Sequence, residues 1–197
     1  LFGGLTAKAA SPHLEVKSAI AVDAQTGQVL YQQNDQQKLP IASMTKLLST
    51  YIVLNEIKAG KLHWNQRVAV SPEIAKMSRN PDLTNVPLST NRKYTVRELY
   101  QASLIASANA AVSALGNAVS GSPHQFVNRM RSTAKQLHLN SAHIVTASGI
   151  TNGQAGKLGY ASVSKKDENT MSAEDVARLS QIILKTYPEI LQTTRLS

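Results

Sequence analysis

The feature that most constrains the fold is a long apolar segment that begins directly after a proline. In IASMTKLLSTYIVL, residues 41–54, apolar side chains recur at helical spacing. Pro40 disfavours helix just before it, so we expect a helix that begins at Ser43 and ends near Gly60. Lys46 lies one turn after Ser43 on this apolar segment. A lysine in such a place needs a partner or a function.

Two strands are predicted before this helix. Residues 17–34, KSAIAVDAQTGQVLYQQN, alternate in polarity around a turn at Gln25-Thr26-Gly27, which predicts a β-hairpin. A hairpin alone is marginal in water. We therefore expect further strands to complete its sheet, either from residues that would follow Ser197 or from a second polypeptide.

Helices are predicted for most of the chain after residue 94, whereas residues 61–94 are polar, contain three prolines and are expected to be irregular. A capping box at Thr95 precedes one helix, and Ser122-Pro123 begins another that runs to about Leu139. A Gly-rich loop over 149–170 leads to a last helix capped at Ser172. The prediction is an α+β fold with a helical cluster beside an antiparallel sheet.

Composition and charge limit the class of protein. The chain has 197 residues, 42% apolar and 17% charged, which suits one globular domain with a sizeable core. No apolar run approaches the roughly 20 residues that span a bilayer. The absence of cysteine excludes disulfides and thiolate chemistry, and the five histidines lack the spacing of metal ligands. We therefore predict no metal and no cofactor.

The net charge of +9 favours an anionic environment such as nucleic acid, anionic lipid or an acidic wall polymer. The basic residues are spread along the chain, and only 5% of residues are aromatic. Nucleic-acid binders of the single-strand type combine basic and aromatic side chains. We therefore predict no nucleic-acid partner.

Residues 1–16 differ from the rest of the chain. The sequence begins LFGGLTAKAASPHLEV, and Ala7-Lys8-Ala9 has the pattern of a signal-peptide cleavage site. This segment is predicted to be either a signal-peptide remnant or a flexible arm. Residues 17–197 are predicted to belong to one domain, which is incomplete without the further strands expected for its sheet.

Ser-x-x-Lys occurs three times, and its surroundings separate the copies. Ser132/Lys135 lies in a polar helix and Ser162/Lys165 in a polar loop, whereas only Ser43/Lys46 begins an apolar helix. There, desolvation and the helix dipole would lower the pKa of the lysine, so that it could take the proton of the serine. The alternative is that Ser43 caps the helix and Lys46 extends to water.

Ser-x-Asn also occurs three times. Ser78/Asn80 and Ser89/Asn91 lie in the polar region, where such residues form turns. The third copy, Ser107/Asn109 in SLIASANAAVS, interrupts an apolar segment, so its side chains are expected at a helix junction where they need partners. The alternative is that both side chains cap helix ends.

Several stretches together resemble one enzyme family. PIASMTKL and SANAA, with AIAVDAQTGQVLYQQN, VAVSPE, TASGIT and NTMSAEDVARLSQIIL, occur in the order found in serine D-alanyl-D-alanine carboxypeptidases, the low-molecular-mass penicillin-binding proteins. The match runs from about residue 17 to 191. It implies a β-lactamase/transpeptidase-like fold, of which only the N-terminal hairpin of the sheet is evident here.

The resemblance implies a role for each motif residue. Ser43 would be the acylated nucleophile and Lys46 its base, while Ser107 would relay a proton toward the leaving D-alanine. Asn109 would bind the substrate peptide and help to position Lys46. The Ser43 N–H would be one oxyanion donor. The implied partners are peptidoglycan stem peptides ending in D-Ala-D-Ala and β-lactam antibiotics.

The family's third motif, Lys-Thr-Gly, does not occur in the 197 residues, since Lys185-Thr186 is followed by Tyr187. We expect it on a later strand, beyond Ser197. Three alternatives stay open: a non-catalytic peptidoglycan-binding relative, a D,D-endopeptidase and a β-lactamase. A class A β-lactamase would need a Glu-x-x-Leu-Asn loop, and Glu168-Asn169 alone does not make one.

The resemblance also implies an exported protein of the cell envelope. Peripheral association with the membrane or wall is a further expectation.

Overall fold

A computed structural model describes residues 13–196. The strands within this range are β1 (Ala19–Val22), β2 (Val29–Gln33), β3 (Leu39–Pro40), β4 (Arg67–Ala69), β5 (Lys93–Thr95) and β6 (Thr170–Met171). The helices are α1 (Thr45–Lys58), α2 (Pro72–Met77), α3 (Val96–Ile105), α4 (Asn109–Ser120), α5 (Pro123–Gln136), α6 (Asn152–Ala155), α7 (Ala173–Thr186) and α8 (Ile190–Thr194).

The predicted N-terminal hairpin is confirmed. β1 and β2 pair antiparallel, with Ala19 opposite Gln33. In the turn, the Asp23 carboxylate accepts hydrogen bonds from the N–H groups of Gln25 and Thr26, and α7 packs against β1. The Gln33 side chain also donates to the carbonyl groups of residues 14 and 16. Of the segment predicted as a remnant or arm, residues 1–12 lie outside the described residues.

The predicted long helix is confirmed as α1, with one difference at its start. A 3₁₀ turn, Ala42–Met44, precedes the α-helix, so Ser43 lies in this tighter turn rather than in the α-helix itself. Gly60, at a φ of +71°, follows the C-terminal end as expected. α1 packs against α3, α4, α5 and α7 and is buried on most of its circumference. The sequence suggested one apolar face, but α1 is the central helix of the cluster.

The prediction that residues 61–94 are irregular is wrong in part. The segment contains α2, and β4 pairs antiparallel with β5, with Arg67 opposite Thr95. Ser71 caps α2 by accepting a hydrogen bond from the N–H of Ile74, and Pro72 occupies the first turn. Ser71-Pro72 is thus the same helix-start signal as Ser122-Pro123. The prediction missed it because the three prolines of the segment favour irregular structure.

The predicted helical cluster is confirmed. The Thr95 capping box begins α3, Ser122 caps α5 and Ser172 caps α7. Two expectations need correction: the loop 149–170 contains α6 and a 3₁₀ turn, and α7 is followed by the short helix α8. Beside the hairpin, β3 pairs with β6 and β4 with β5, so the sheet content is not limited to the hairpin. The α+β class holds.

No helix within residues 13–196 combines the length and the apolar character that crossing a bilayer requires.

Candidate active site

The start of α1 places a serine hydroxyl beside a lysine amine. Lys46 Nζ donates a hydrogen bond to Ser43 Oγ over 3.1 Å, because side chains three residues apart share a helix face. Ser43 is exposed, whereas only 4% of Lys46 is accessible to solvent. The arrangement therefore presents an accessible hydroxyl to a substrate while the amine behind it is buried.

The Lys46 amine is held by neutral acceptors. Besides Ser43, it donates to the Asn109 side-chain oxygen over 3.0 Å and to the Ser148 carbonyl over 3.3 Å. None of the ion pairs among residues 13–196 includes Lys46. Burial lowers the pKa of Lys46 from 10.5 to about 8, because desolvation penalises the charged amine. An amine with this pKa is partly neutral near pH 7 and can act as a base.

Ser107 lies in the break between α3 and α4, as the sequence predicted. Its hydroxyl lies 3.1 Å from Ser43 Oγ. Its φ of +49° places the backbone in the left-handed region, which is unusual for a residue other than glycine. Such strain persists only where the surroundings hold it, and it occurs often at functional sites.

Asn109, the first residue of α4, joins the site to the segment before β5. Its amide nitrogen donates to the Thr84 carbonyl over 2.9 Å, and its backbone N–H donates to the same oxygen over 3.1 Å. Asn85 reinforces the junction by accepting a hydrogen bond from the N–H of Ala110. The amide nitrogen of Asn109 is thereby occupied, so its oxygen faces Lys46.

The four predicted site residues thus lie together, and the capping alternatives are wrong. In the described part of the chain, residues 13–196, no side chain caps the 3₁₀ turn, α1 or α4. Elsewhere the helix caps are made in the ordinary way, by side chains that accept a hydrogen bond from the N–H three residues later; these are Ser71, Thr95, Ser122, Thr151 and Ser172. Instead, the Ser43 hydroxyl accepts hydrogen bonds from Lys46 and Ser107, and the Asn109 side-chain oxygen accepts one from Lys46.

The other copies of the two motifs lie apart from this cluster. Ser132 donates to backbone carbonyls of its own helix, and Lys135 is exposed. Ser162 and Lys165 are both exposed in the loop. Ser78 is buried, but its hydroxyl accepts a hydrogen bond from the N–H of Leu88 and holds a loop.

Sequence reasoning included Gly149 in the stretch TASGIT but gave it no role; in the structure it lies against the turn that carries Ser43. The turn is itself strained, since Ala42 has a φ of +43°. Gly149 has a φ of +90°, and a Cβ there would overlap the carbonyl group of Ala42 and lie 2.7 Å from Thr45 Oγ1. Only glycine therefore allows this close approach of the two backbones. The glycine follows Ser148, whose carbonyl accepts from Lys46.

Asn169 is the second residue that sequence reasoning missed as part of the site. It is completely buried. Its side-chain oxygen accepts from the N–H groups of Val145 and Thr146, and its side-chain nitrogen donates to Thr45 Oγ1 over 3.0 Å and to the Thr146 carbonyl over 2.8 Å. Its own carbonyl accepts from the N–H of Ile41. Asn169 therefore fastens the segment before Ser148 to both ends of the turn that carries Ser43.

The described residues contain no group of three His, Asp or Glu side chains that could hold a metal ion. The chemistry of the site is that of a serine hydroxyl and a buried amine.

A family model described as D-alanyl-D-alanine carboxypeptidase, peptidase S11, matches residues 5–197. The chain belongs to this family. Among curated proteins, it is 29% identical over 180 residues to D-alanyl-D-alanine carboxypeptidase DacF of Bacillus subtilis, with 91% of this chain and 41% of that protein covered. It is 30% identical over 182 residues to DacD of Escherichia coli, with coverages of 90% and 43%. The chain spans about two fifths of the length of these relatives.

Solved structures give the same fold. The chain superimposes with a TM-score of 0.87 on a peptidoglycan synthesis regulatory factor, PBP3, of Streptococcus pneumoniae, at 36% identity, covering 91% of this chain and 50% of that one. It superimposes with a TM-score of 0.74 on penicillin-binding protein D2 of Listeria monocytogenes in its cefotaxime-bound form, at 29% identity, with coverages of 93% and 68%. The predicted transpeptidase-like α+β fold is confirmed.

Proposed function

We propose that this chain carries the nucleophile and base of a serine D,D-carboxypeptidase, which removes the terminal D-alanine from peptidoglycan stem peptides. The observation that carries the proposal is the buried Lys46 amine 3.1 Å from the exposed Ser43 hydroxyl. Membership of the D-alanyl-D-alanine carboxypeptidase family supports it. Residues 17–197 would then be part of one transpeptidase-like domain.

In the first step, neutral Lys46 takes the proton of Ser43 as the serine oxygen attacks the carbonyl carbon of the penultimate D-alanine. The pKa of about 8 for Lys46 favours this role, since a general base works best with a pKa near the working pH. Negative charge develops on the carbonyl oxygen. The N–H of Ser43 belongs to the first turn of a helix, where such groups have no partner within the helix and can stabilise the oxyanion.

In the second step, the bond between the penultimate carbonyl carbon and the terminal D-alanine nitrogen breaks. Ser107, 3.1 Å from Ser43, would pass its proton to that nitrogen, which leaves as the amine of free D-alanine, and would be reprotonated by the Lys46 ammonium, so that Lys46 is neutral again. The acyl group stays on Ser43. Water, deprotonated by the same amine, then hydrolyses this ester and regenerates the serine.

Asn109 would both bind the substrate peptide and position the base, Lys46. Its oxygen accepts from Lys46, and its nitrogen is fixed by Thr84. This bond directs a lone pair of the amine toward Ser43 when the amine is neutral. Contact between Asn109 and the substrate peptide is the part of the proposal that comes from the family resemblance.

β-Lactams are expected to acylate Ser43 by the same attack. The related protein of Listeria monocytogenes has been solved in ampicillin-bound and cefotaxime-bound forms, at 28% and 29% identity to this chain. A strained lactam amide would open on attack, and its acyl group would remain on the serine oxygen.

An envelope location accompanies the proposed reaction, because the substrate lies outside the cytoplasmic membrane. The net charge of +9 favours anionic wall material. Export of this chain and any peripheral association with membrane or wall are parts of the same proposal.

The test is release of free D-alanine from an N-acylated tripeptide that ends in D-Ala-D-Ala, measured with D-amino-acid oxidase. We expect release by the wild-type chain, none by Ser43→Ala and unchanged release by Ser132→Ala. A cross-linked stem-peptide dimer tests the endopeptidase alternative, which one relative represents: the D-alanyl-D-alanine endopeptidase of Escherichia coli is 26% identical over 191 residues. Cleavage of the dimer alone would favour that alternative, and binding without either D-alanine release or acylation of Ser43 by a penicillin would favour a non-catalytic relative.

A further inference from the structure

A wide groove lies apart from the four residues of the candidate active site. It has a volume of about 1050 Å³ and runs between α2 on one side and α6 with the following 3₁₀ turn on the other, with residues 89–91 also contributing to its wall. None of Ser43, Lys46, Ser107 and Asn109 lines it. Its volume is that of sites that bind ligands in proteins.

The groove is positively charged. Lys76 and Arg79 line it from α2 and its C-terminal end, and Lys157 lines it from the opposite side. None of these three cations belongs to an ion pair within residues 13–196, and all three are exposed. Of the residues that the structure describes, Glu73 contributes the one carboxylate of the lining. It precedes Lys76 by one helical turn, so its charge is partly offset.

The groove is also rich in hydrogen-bond donors, both from Arg79 and from neutral side chains. Arg79 donates one N–H to the Ala75 carbonyl over 3.2 Å, which anchors the guanidinium at the groove. The hydroxyl and amide side chains that complete the polar lining are Asn80, Ser89, Thr90, Asn91 and Gln154. Lysine, arginine, hydroxyl and amide side chains together are the set that contacts phosphate groups along a nucleic-acid backbone.

Among residues 13–196, no aromatic side chain lines the groove. Proteins that bind single-stranded nucleic acid stack its bases on aromatic rings. A groove that offers phosphate contacts without such rings fits a phosphodiester chain that carries no bases. We propose that this groove binds a linear poly(glycerol phosphate)-type polyanion, whose successive phosphates pair with cations on its two sides.

The proposal does not depend on the catalytic residues. Because the groove is open, the polymer can enter it along its length, and the exposed Lys76 and Lys157 side chains can move to meet the phosphates while Arg79 stays anchored. Binding would hold the chain on anionic polymer while leaving Ser43 free.

Fluorescence anisotropy with a labelled glycerol-phosphate oligomer tests the proposal. The groove variant combines Lys76→Gln, Arg79→Gln and Lys157→Gln. The matched control removes the same charge from exposed lysines outside the groove, with Lys61→Gln, Lys135→Gln and Lys185→Gln. Circular dichroism and thermal melting establish that each variant folds as the wild type does.

We expect the groove variant to lose at least about tenfold in affinity at about 50 mM NaCl, and its log–log salt slope to decrease by about 2, for the loss of three phosphate contacts. The control should lose no more than about twofold. Equal losses in both variants would overturn the proposal, because they would assign binding to net charge. Absence of binding to the wild type, or equal competition by poly-glutamate or by a single-stranded oligonucleotide of the same charge, would also overturn it.

Discussion

Two copies of one short pattern, Ser43/Lys46 and Ser132/Lys135, occupy opposite environments in this chain. Both place a hydroxyl and an amine three residues apart on a helix. Lys46 is buried among neutral acceptors and its pKa falls to about 8, whereas Lys135 is exposed on the polar face of α5. Ser132 donates to carbonyl groups of its own helix, and Ser43 receives hydrogen bonds from Lys46 and Ser107.

On the proposed function, the difference teaches that the surroundings of Ser43, and not the spacing to its lysine, would make it a nucleophile. The pattern supplies proximity in both places. At Ser43 three further segments add to it: α4 supplies Asn109, the break before α4 supplies Ser107, and the segment ending in Gly149 supplies the Ser148 carbonyl. Within residues 13–196, both hydrogen bonds that Ser132 donates stay within its own helix.

The largest difference between the two copies should appear when the lysines are replaced. Lys46→Met keeps an unbranched side chain in the buried site but removes the base. We expect the rate constant for acylation by benzylpenicillin to fall about 10²- to 10⁴-fold, the usual contribution of general base catalysis. Stopped-flow or rapid-quench kinetics would measure it. Lys135→Met should leave the rate constant unchanged. A similar loss in both variants would show that the different environments of Lys46 and Lys135 do not give them different roles in acylation.

A second prediction concerns the contact that holds the Ser43 turn. In Gly149→Ala the new Cβ overlaps the Ala42 carbonyl at a positive φ, so the free energy of unfolding should fall by about 2–5 kcal/mol. Gly60→Ala is the matched control, since Gly60 also has a positive φ but nothing within 4 Å of its Cβ position. It should cost about 1–2 kcal/mol.

Urea denaturation of both variants measures these changes. Acylation should be slowed only in Gly149→Ala, because only that substitution displaces the turn. Equal costs at Gly60 and Gly149 would show that the turn adjusts to the extra atom without loss.

The sequence predicted the helices best, because their signals are local. The caps at Thr95, Ser122 and Ser172 each depend on residues within one turn. The short strands β3, β4 and β6 depend on partners distant in the chain, such as Leu39 opposite Met171, and local patterns do not reveal them.

The residues of the candidate site also fall into those with a local sequence signal and those that depend on distant contacts. Ser43, Lys46, Ser107 and Asn109 were found because their motifs are short and recur in one family. The Ser148 carbonyl, Gly149 and Asn169 act through contacts over roughly a hundred residues of chain, from α1 to the loop before β6. Asn169 was considered beside Glu168, as part of a β-lactamase loop, and as the first residue of NTMSAEDVARLSQIIL, without a role in the site. Its burial and its four side-chain hydrogen bonds are tertiary facts that the sequence alone does not display.

Asn169 supplies a third prediction. Asn169→Ala leaves several buried polar groups without partners, so the free energy of unfolding should fall by about 1–3 kcal/mol. The acylation rate should also fall, since the segment that supplies the Ser148 carbonyl loses its attachment to Thr45. Asn65→Ala, at an exposed asparagine, should stay within about 0.5 kcal/mol of wild type. A loss of stability with an unchanged acylation rate would show that Asn169 stabilises the fold but does not contribute to the candidate active site.

The smallest expected effect is the pH dependence of acylation. Because the pKa of Lys46 is lowered to about 8, about a tenth of the amine is neutral at pH 7 and about nine tenths at pH 9. The rate constant should therefore rise about tenfold over this range and level off above it. A lysine at its usual pKa of 10.5 would give a rise that continues beyond pH 10. Rates measured from pH 6 to pH 10.5 distinguish the two, and Lys46→Met should abolish the rise.

The most direct test of the central claim is the intact mass of the chain after incubation with benzylpenicillin. The claim is that burial beside Lys46 makes Ser43, alone among the serines of the three Ser-x-x-Lys copies, a nucleophile. We predict one penicilloyl group per wild-type chain and per Ser132→Ala chain, and none on Ser43→Ala. An adduct that persists in Ser43→Ala, or its absence from a folded wild-type chain, would contradict the claim.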